Sequence, residues 1–159
     1  MERSSRSAVK VVLRVRPSEH VSDTFTLGTD GKSVAMRQSS QAVTDGSVKQ
    51  GVLSFTTDAV LSNAGQDKVF QEVGRAACDS VLDGYNGTVL CYGQTGAGKS
   101  FTMVGSGREY NQRGLGPRSL AHCFREAANK PEFEYTFRFS CLEIYNDMMY
   151  DLLSTLPSE

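Results

Sequence analysis

Apolar residues follow three different rhythms along this chain, and each rhythm predicts a different element. Residues 9–15 (VKVVLRV) form a short β-branched run closed by Pro17, which predicts a mostly buried strand. From residue 18 to 51 the sequence turns polar, punctuated by Gly28, Gly31 and Gly46, and predicts loops with small edge strands. Residues 52–55 predict another short strand. Val69, Phe70, Val73, Ala76, Ala77 and Val81 then recur at helical spacing, after the polar pair Ser62–Asn63 and before Gly84. Tyr85-Asn86-Gly87 predicts a tight turn, because Asn-Gly accepts positive φ at low cost.

Residues 88–92 (TVLCY) are apolar almost throughout, as a strand covered on both faces should be. A helix is expected to open near Phe101, Thr102 and Met103. The stretch from Gly105 to Gly116 (GSGREYNQRGLG) reads as a loop interrupting that helix. Pro117 suits a first helical turn, with Leu120, Ala121, Phe124 and Ala128 as the apolar face. Pro131 separates this helix from a last strand, in which Phe133, Tyr135, Phe137, Phe139 and Cys141 alternate with polar residues. Leu142 and Ile144 break that phase, which predicts a bulge or burial of both faces at the strand end.

Composition narrows the class. The 159 residues suffice for one domain with a core, and 39% hydrophobic with 22% charged residues is the balance of a soluble globular chain. A net charge of −1 argues against nucleic acid or an anionic membrane as partner. Residues 1–8 (MERSSRSA) are basic and serine-rich without the apolar centre of a secretion signal, so a flexible terminus is expected. Cys78, Cys91, Cys123 and Cys141 contain no C-x-x-C pair and read as buried free thiols, which fits a reducing, intracellular compartment. Neither a coiled-coil segment nor an internal repeat is expected.

The candidate chemistry lies between the 88–92 run and the helix after it. Gly93-Gln94-Thr95-Gly96-Ala97-Gly98-Lys99-Ser100 satisfies G-x-x-x-x-G-K-[ST] at every fixed position, between a strand and a helix start as this phosphate-binding loop requires. The glycines let backbone N–H groups turn inward around phosphates where a Cβ would obstruct. Lys99 is expected on the β- and γ-phosphates and the Ser100 hydroxyl on Mg²⁺. No apolar strand after Ser100 ends cleanly in an aspartate for the metal side. Asp147 and Asp151 read as exposed turn or strand-end carboxylates, so no catalytic residue is assigned.

The flanks of this loop carry a resemblance. The block GYNGTVLCYGQTGAGKSFTM, residues 84–103, resembles the P-loop region of the kinesin motor domain. Arg14-Val15-Arg16-Pro17 resembles the family's R-x-R-P, residues 66–70 its Q-x-x-V-[YF] helix start, and residues 142–147 with Asp151-Leu152-Leu153 its L-E-I-Y-N-E…D-L-L segment. The resemblance implies an α/β fold of the P-loop NTPase type, a central sheet that is mostly parallel near the P-loop and flanked by helices. It implies ATP with Mg²⁺ as ligands, Arg14 and Pro17 beside the adenine, and Phe101 where a ring approaches that base. It implies a microtubule-stimulated ATPase acting on tubulin in the cytoplasm and cytoskeleton. Residues 53–61, the run Leu90-Cys91-Tyr92 and residues 154–157 look most like the ninth kinesin family, which is linked to cilia and flagella.

Ser100 stands where the family usually has Thr and keeps the hydroxyl. The family's switch motifs, N-x-x-S-S-R-S-H and D-x-A-G-S-E, would follow Leu153. Ser4-Ser5-Arg6-Ser7 imitates the first but precedes the first strand. Residues 9–159 are therefore expected to form the nucleotide-binding, N-terminal half of a motor domain, with its sheet truncated. Two alternatives stand beside this. Asn129-Lys130-Pro131-Glu132 nearly matches the guanine-reading N-K-x-D, but Glu replaces Asp and the segment follows a helix. A truncated, non-catalytic chain that binds nucleotide or a protein partner is the other.

Overall fold

The computed structural model describes residues 9–17, 25–39, 50–107 and 109–155. The expected flexible terminus, residues 1–8, lies outside these, as do parts of the polar 18–51 stretch and residues 156–159. The described residues fall into two compact units, divided between Arg125 and Glu126.

In the first unit, β1 (Val12–Val15) pairs in parallel with β5 (Ala59–Ser62), with Val12 opposite Ala59 and Val15 opposite Ser62. The strand starts three residues later than its apolar run, and Val9 and Val11 are exposed. The reason is local. The Val11 N–H donates to the Asp58 carboxylate at 2.7 Å and the Asp58 N–H to the Val11 carbonyl at 2.9 Å, so the ladder begins only beyond that exchange. Between these strands, β2 (Phe25–Leu27), β3 (Ser33–Ser39) and β4 (Gln50–Thr56) form an antiparallel sheet in that order. The turn from β2 to β3 is built on Asp30, whose carboxylate accepts the Ser33 hydroxyl and the N–H groups of Lys32 and Ser33. The Ser33 hydroxyl and then those N–H groups hold its pKa down at about 2.

The helix predicted after residue 62 exists but is not uniform. α1 (Gln66–Val69) runs into a π-helical turn (Phe70–Gly74) and then α2 (Arg75–Leu82). A π turn adds a residue to the rotation. The buried stripe therefore shifts: Ala76 and Val81, expected on it, are exposed, and Cys78 is buried. The predicted turn at Tyr85-Asn86-Gly87 is also displaced. Gly84 carries the positive φ, +91°, and the Tyr85 N–H closes back on the Ser80 carbonyl at 2.9 Å.

Residues 88–92 have no ladder partner among the described residues, and the expectation of cover on both faces fails. Val89 and Cys91 pack on the core, while Leu90 and Tyr92 are 84% and 96% exposed. α3 (Lys99–Met103) and α4 (Leu115–Ala128) bracket the predicted glycine-rich loop. That loop is closed by a bridge between Gly105 and Arg113 and contains a 3-10 turn, Tyr110–Gln112. The core is Leu61, Val69, Phe70, Cys78 and Leu115, with Val12, Val73, Met103 and Cys123 against it.

The apolar face expected for α4 is the wrong one: Leu120, Ala121, Phe124 and Ala128 are all exposed. His122 takes the core position. Its ring stands edge-on to Phe70 at 5.6 Å, and its nitrogens meet Asp79 at 2.7 Å and Arg125 at 2.8 Å. A guanidinium only donates, so Nδ1 accepts from Arg125 and Nε2–H donates to Asp79. A polar side chain satisfied in this way can displace an aliphatic one from the core.

In the second unit, residues 134–141 form no ladder among the described residues, so the half-buried strand predicted from Phe133 is absent there. Their alternation survives as ring contacts, Phe133 edge-on to Tyr135 at 6.1 Å and Tyr135 stacked on Phe137 at 6.4 Å. The broken phase at Leu142 has a different cause from the bulge expected. It is the start of a hairpin, β6 (Leu142–Tyr145) with β7 (Met148–Asp151), turned by Asn146 and Asp147 at φ of 49° and 61°. Two central residues at positive φ are the primed turn that suits a two-residue hairpin. All four cysteines are free thiols, and only Cys78 is buried. The α/β class holds, with a parallel strand pair and helices built on the expected segments.

Candidate functional site

The P-loop begins where the 88–92 segment leaves the core at Cys91. Gly96 and Gly98 have φ of 81° and 98°, values at which a β-carbon would be strained. Gly98 caps α3, and the first helical bond there runs from the Thr102 N–H to the Gly98 carbonyl at 2.9 Å. The N–H groups of Lys99, Ser100 and Phe101 precede that bond and have no acceptor within the helix. Inside the loop, the Ala97 N–H donates to the Gln94 carbonyl at 3.1 Å.

Lys99 is part-buried, and its ammonium donates to the carbonyls of Gly93 at 2.8 Å and Gln94 at 3.0 Å. An ammonium has three donors, so one remains for a ligand. Ser100 is exposed beside it, as is Thr95. Three acceptor-free N–H groups, a lysine and a hydroxyl form a donor set that fits a polyphosphate. Magnesium keeps most of its waters and takes phosphate oxygens, so one protein hydroxyl fits its needs as well.

Next to the loop is a cavity of about 440 Å³ lined by Arg14, Arg16, Pro17, Ala97, Gly98, Phe101 and Thr102. The structure thus brings Arg14, Pro17 and Phe101 together against two P-loop residues. The other P-loop residues, Gly93, Gln94, Thr95, Gly96, Lys99 and Ser100, form the adjoining loop rather than the cavity wall. The Arg14 guanidinium lies over the Phe101 ring, 5.5 Å from its centroid. It also donates to Gln66 Oε1 at 3.0 Å, Thr102 Oγ1 at 2.8 Å and the Ala64 carbonyl at 3.2 Å. Burial lowers its pKa, and the same burial pushes the nearby Cys91 thiol up.

Three residues missed by sequence reasoning belong here. Arg16 donates to the Gly96 carbonyl at 2.9 Å and so fastens β1's end to the P-loop. Its signal was available, since Arg16 follows Arg14 by the two-residue step of a strand and stands just past the end of β1. Thr102 accepts from Arg14 and donates to the Gly98 carbonyl at 2.9 Å. Gln66 is buried at the start of α1, a position that reads as solvated cap chemistry in sequence. Asp147 and Asp151 lie at the turn and end of the exposed hairpin, as expected of turn carboxylates. Among the described residues, no group of three or more His, Cys, Asp or Glu could hold a metal.

A family model described as kinesin motor domain matches residues 8–159. The chain is 43% identical over 157 residues to kinesin-like protein KIF9 of Mus musculus, an alignment covering 96% of the chain and 20% of that relative. It therefore spans about a fifth of that protein's length. Among solved structures it resembles a fast kinesin, described with its ATPase mechanism and interactions with microtubules. The TM-score is 0.77 with 36% identity, over 92% of this chain and 41% of that one. It also resembles Drosophila Kin10/NOD in complex with divalent manganese and ADP, with a TM-score of 0.70 and 27% identity, over 94% of this chain and 49% of the other.

Proposed function

The chain belongs to the kinesin motor-domain family, and on that footing we propose that it is the nucleotide-binding part of a microtubule-stimulated ATPase that takes ATP with magnesium. The observation that carries the reading is the P-loop itself: Lys99 tethered at the Gly93 and Gln94 carbonyls, beside three N–H groups without helical acceptors. The third donor of Lys99 pairs with the β- and γ-phosphates, and the loop's N–H groups hold their oxygens. The Ser100 hydroxyl would hold magnesium together with phosphate oxygens, and the ion would supply charge neutralisation at the terminal phosphates. Pro17 and Phe101 offer apolar surface to the base, and the Arg14 guanidinium over the Phe101 ring steadies that ring.

Tubulin as partner and the cytoskeleton as location follow from the same family reading. Location in a cilium or flagellum rests on the likeness of residues 53–61 and 90–92 to the ninth kinesin family.

The test is Lys99→Ala in the full-length protein, with Mg·ATP affinity and microtubule-stimulated turnover measured. Losing the phosphate-paired charge should cost about 2–5 kcal/mol in affinity. Wild-type affinity in the mutant would remove Lys99 from the site. Preference for GTP over ATP would overturn the base assignment.

A further inference from the structure

Gln66 begins α1, where a polar side chain ordinarily meets water, yet it is only 4% exposed. Its amide is used from inside the protein. Oε1 accepts from Arg14 at 3.0 Å, while Nε2 donates to the Phe101 carbonyl at 2.7 Å and the Gln112 carbonyl at 3.3 Å. A guanidinium can only donate and a carbonyl can only accept, so these partners fix which way the amide points. They lie on β1, on α3 and in the loop between α3 and α4. The chain of bonds continues past Arg14, which donates to the Thr102 hydroxyl, and that hydroxyl donates to the P-loop carbonyl of Gly98 at 2.9 Å.

Arg14 has five N–H donors, and three of its bonds go to Gln66, Thr102 and Ala64. Its guanidinium carbon lies over the Phe101 ring, and both residues line the cavity. Fixing Arg14 therefore steadies the Phe101 ring beside it, and a ring held in the cavity wall takes a flat aromatic base by contact.

We infer that Gln66 is a positioning residue for the base side of the nucleotide site. Its carbonyl oxygen holds Arg14 against Phe101, and its amino group holds the backbone of Phe101 and of the neighbouring loop. This rests on the reading of the cavity as the base subsite of an ATP site. Gln66 meets Phe101 at its carbonyl, not at the N–H that faces the phosphates, and bonds neither Lys99 nor Ser100, so its loss should be felt by ligands that carry a base and not by those that lack one.

The experiment compares Mg·ATP with magnesium tripolyphosphate on the full-length protein by calorimetry, with ATPase kinetics alongside. Gln66→Met removes both polar groups at similar volume. It should weaken ATP about tenfold, leave tripolyphosphate within about twofold, and raise KM with kcat retained. Gln66→Glu keeps an acceptor for Arg14 and loses both donors. It should keep ATP closer to wild type than Gln66→Met does, while amides of residues 105–114 exchange faster in both variants. If Gln66→Met fails to fold, Gln66→Asn, which withdraws both groups by one methylene, is read the same way. Equal weakening of both ligands would make Gln66 a merely structural residue and overturn the inference. So would a Glu variant as weak for ATP as the Met variant. Wild-type protein that binds ATP no tighter than tripolyphosphate would instead sink the base-subsite reading itself, and the inference with it.

Discussion

Replacing Gly74 by alanine sets two effects of known size against each other. Gly74 closes the π-helical turn with ordinary helical angles, φ −78° and ψ −40°. Propensity alone would favour alanine by about 1 kcal/mol at such a helix-interior site. Space opposes it. A β-carbon there would stand 2.7 Å from Phe70 Cδ2, 3.0 Å from Phe70 Cε2 and 3.3 Å from Leu115 Cδ2. Neither neighbour has room to move, since Phe70 and Leu115 are 5% and 4% exposed. The Phe70 ring is also fixed edge-on by His122, which is itself held by Asp79 and Arg125. Overpacking a closed core costs about 1–3 kcal/mol. The clash therefore wins, with a net loss of about 1 kcal/mol and a melting temperature lower by a few degrees. Hydrogen exchange should localise the loss to the π turn, α2 and α4. Phe70→Leu opens space beside the new methyl, so the double variant should be more stable than the two single costs added together. A Gly74→Ala protein melting at or above wild type would refute the reasoning, because propensity would then have outweighed contact.

Two further outcomes follow from surface features. Lys10 donates to both the backbone carbonyl and the carboxylate of Glu72, and first that hydrogen bond, then the Lys10 charge, lowers the Glu72 pKa. A carboxylate depressed in the folded state stabilises above its unfolded value near 4.5 and loses that contribution as pH falls through its folded value. Glu72→Gln should thus melt below wild type at pH 7, by at most about 1 kcal/mol, with the gap closing in acid; a pH-independent gap would refute it. Leu90 and Tyr92 face outward on a segment without a ladder partner among the described residues, so the 159-residue chain alone should self-associate. Leu90→Lys with Tyr92→Lys should reduce that association in size-exclusion runs, and a monodisperse wild-type chain would refute the idea.

The phosphate loop was legible in sequence because its rules are local. Gly96 and Gly98 must adopt positive φ and Lys99 must follow them, and no distant residue changes that. Strand and helix existence was legible for the same reason at β1, β4, α3 and α4. Facing was not. The same apolar run, residues 88–92, reads alike whether one face or two are covered, and only the pairing partner decides. On α4 the aliphatic residues suggested one stripe, while His122 took the core position because Asp79 and Arg125 satisfy it there. On α2 a single inserted residue at the π turn moved the stripe, and nothing in the spacing of Val69, Phe70 and Val73 announces it. Asn146-Asp147 did carry a local signal, the positive-φ tolerance of a hairpin turn. It was masked by the aromatic alternation that precedes it.

The same distinction explains why Arg16 and Gln66 stayed hidden while Arg14 did not. Val12 and Arg14 occupy one face of β1, and Arg16, one residue past the strand's end, continues the same two-residue step of about 7 Å. Val12 packs on the core, Arg14 sits half-buried at its margin, and Arg16 reaches the P-loop at Gly96. One strand face thus passes from hydrophobic contact to buried charge to exposed charge. The site is therefore the polar end of the core, not an attachment to it. Whatever fixes Val12 against the core also fixes where the Arg14 guanidinium begins. Gln66, one helical turn before Phe70, then ties that guanidinium to α3. Binding geometry on the base side and packing of α1 on β1 are for this reason one structural quantity, set by the same few contacts.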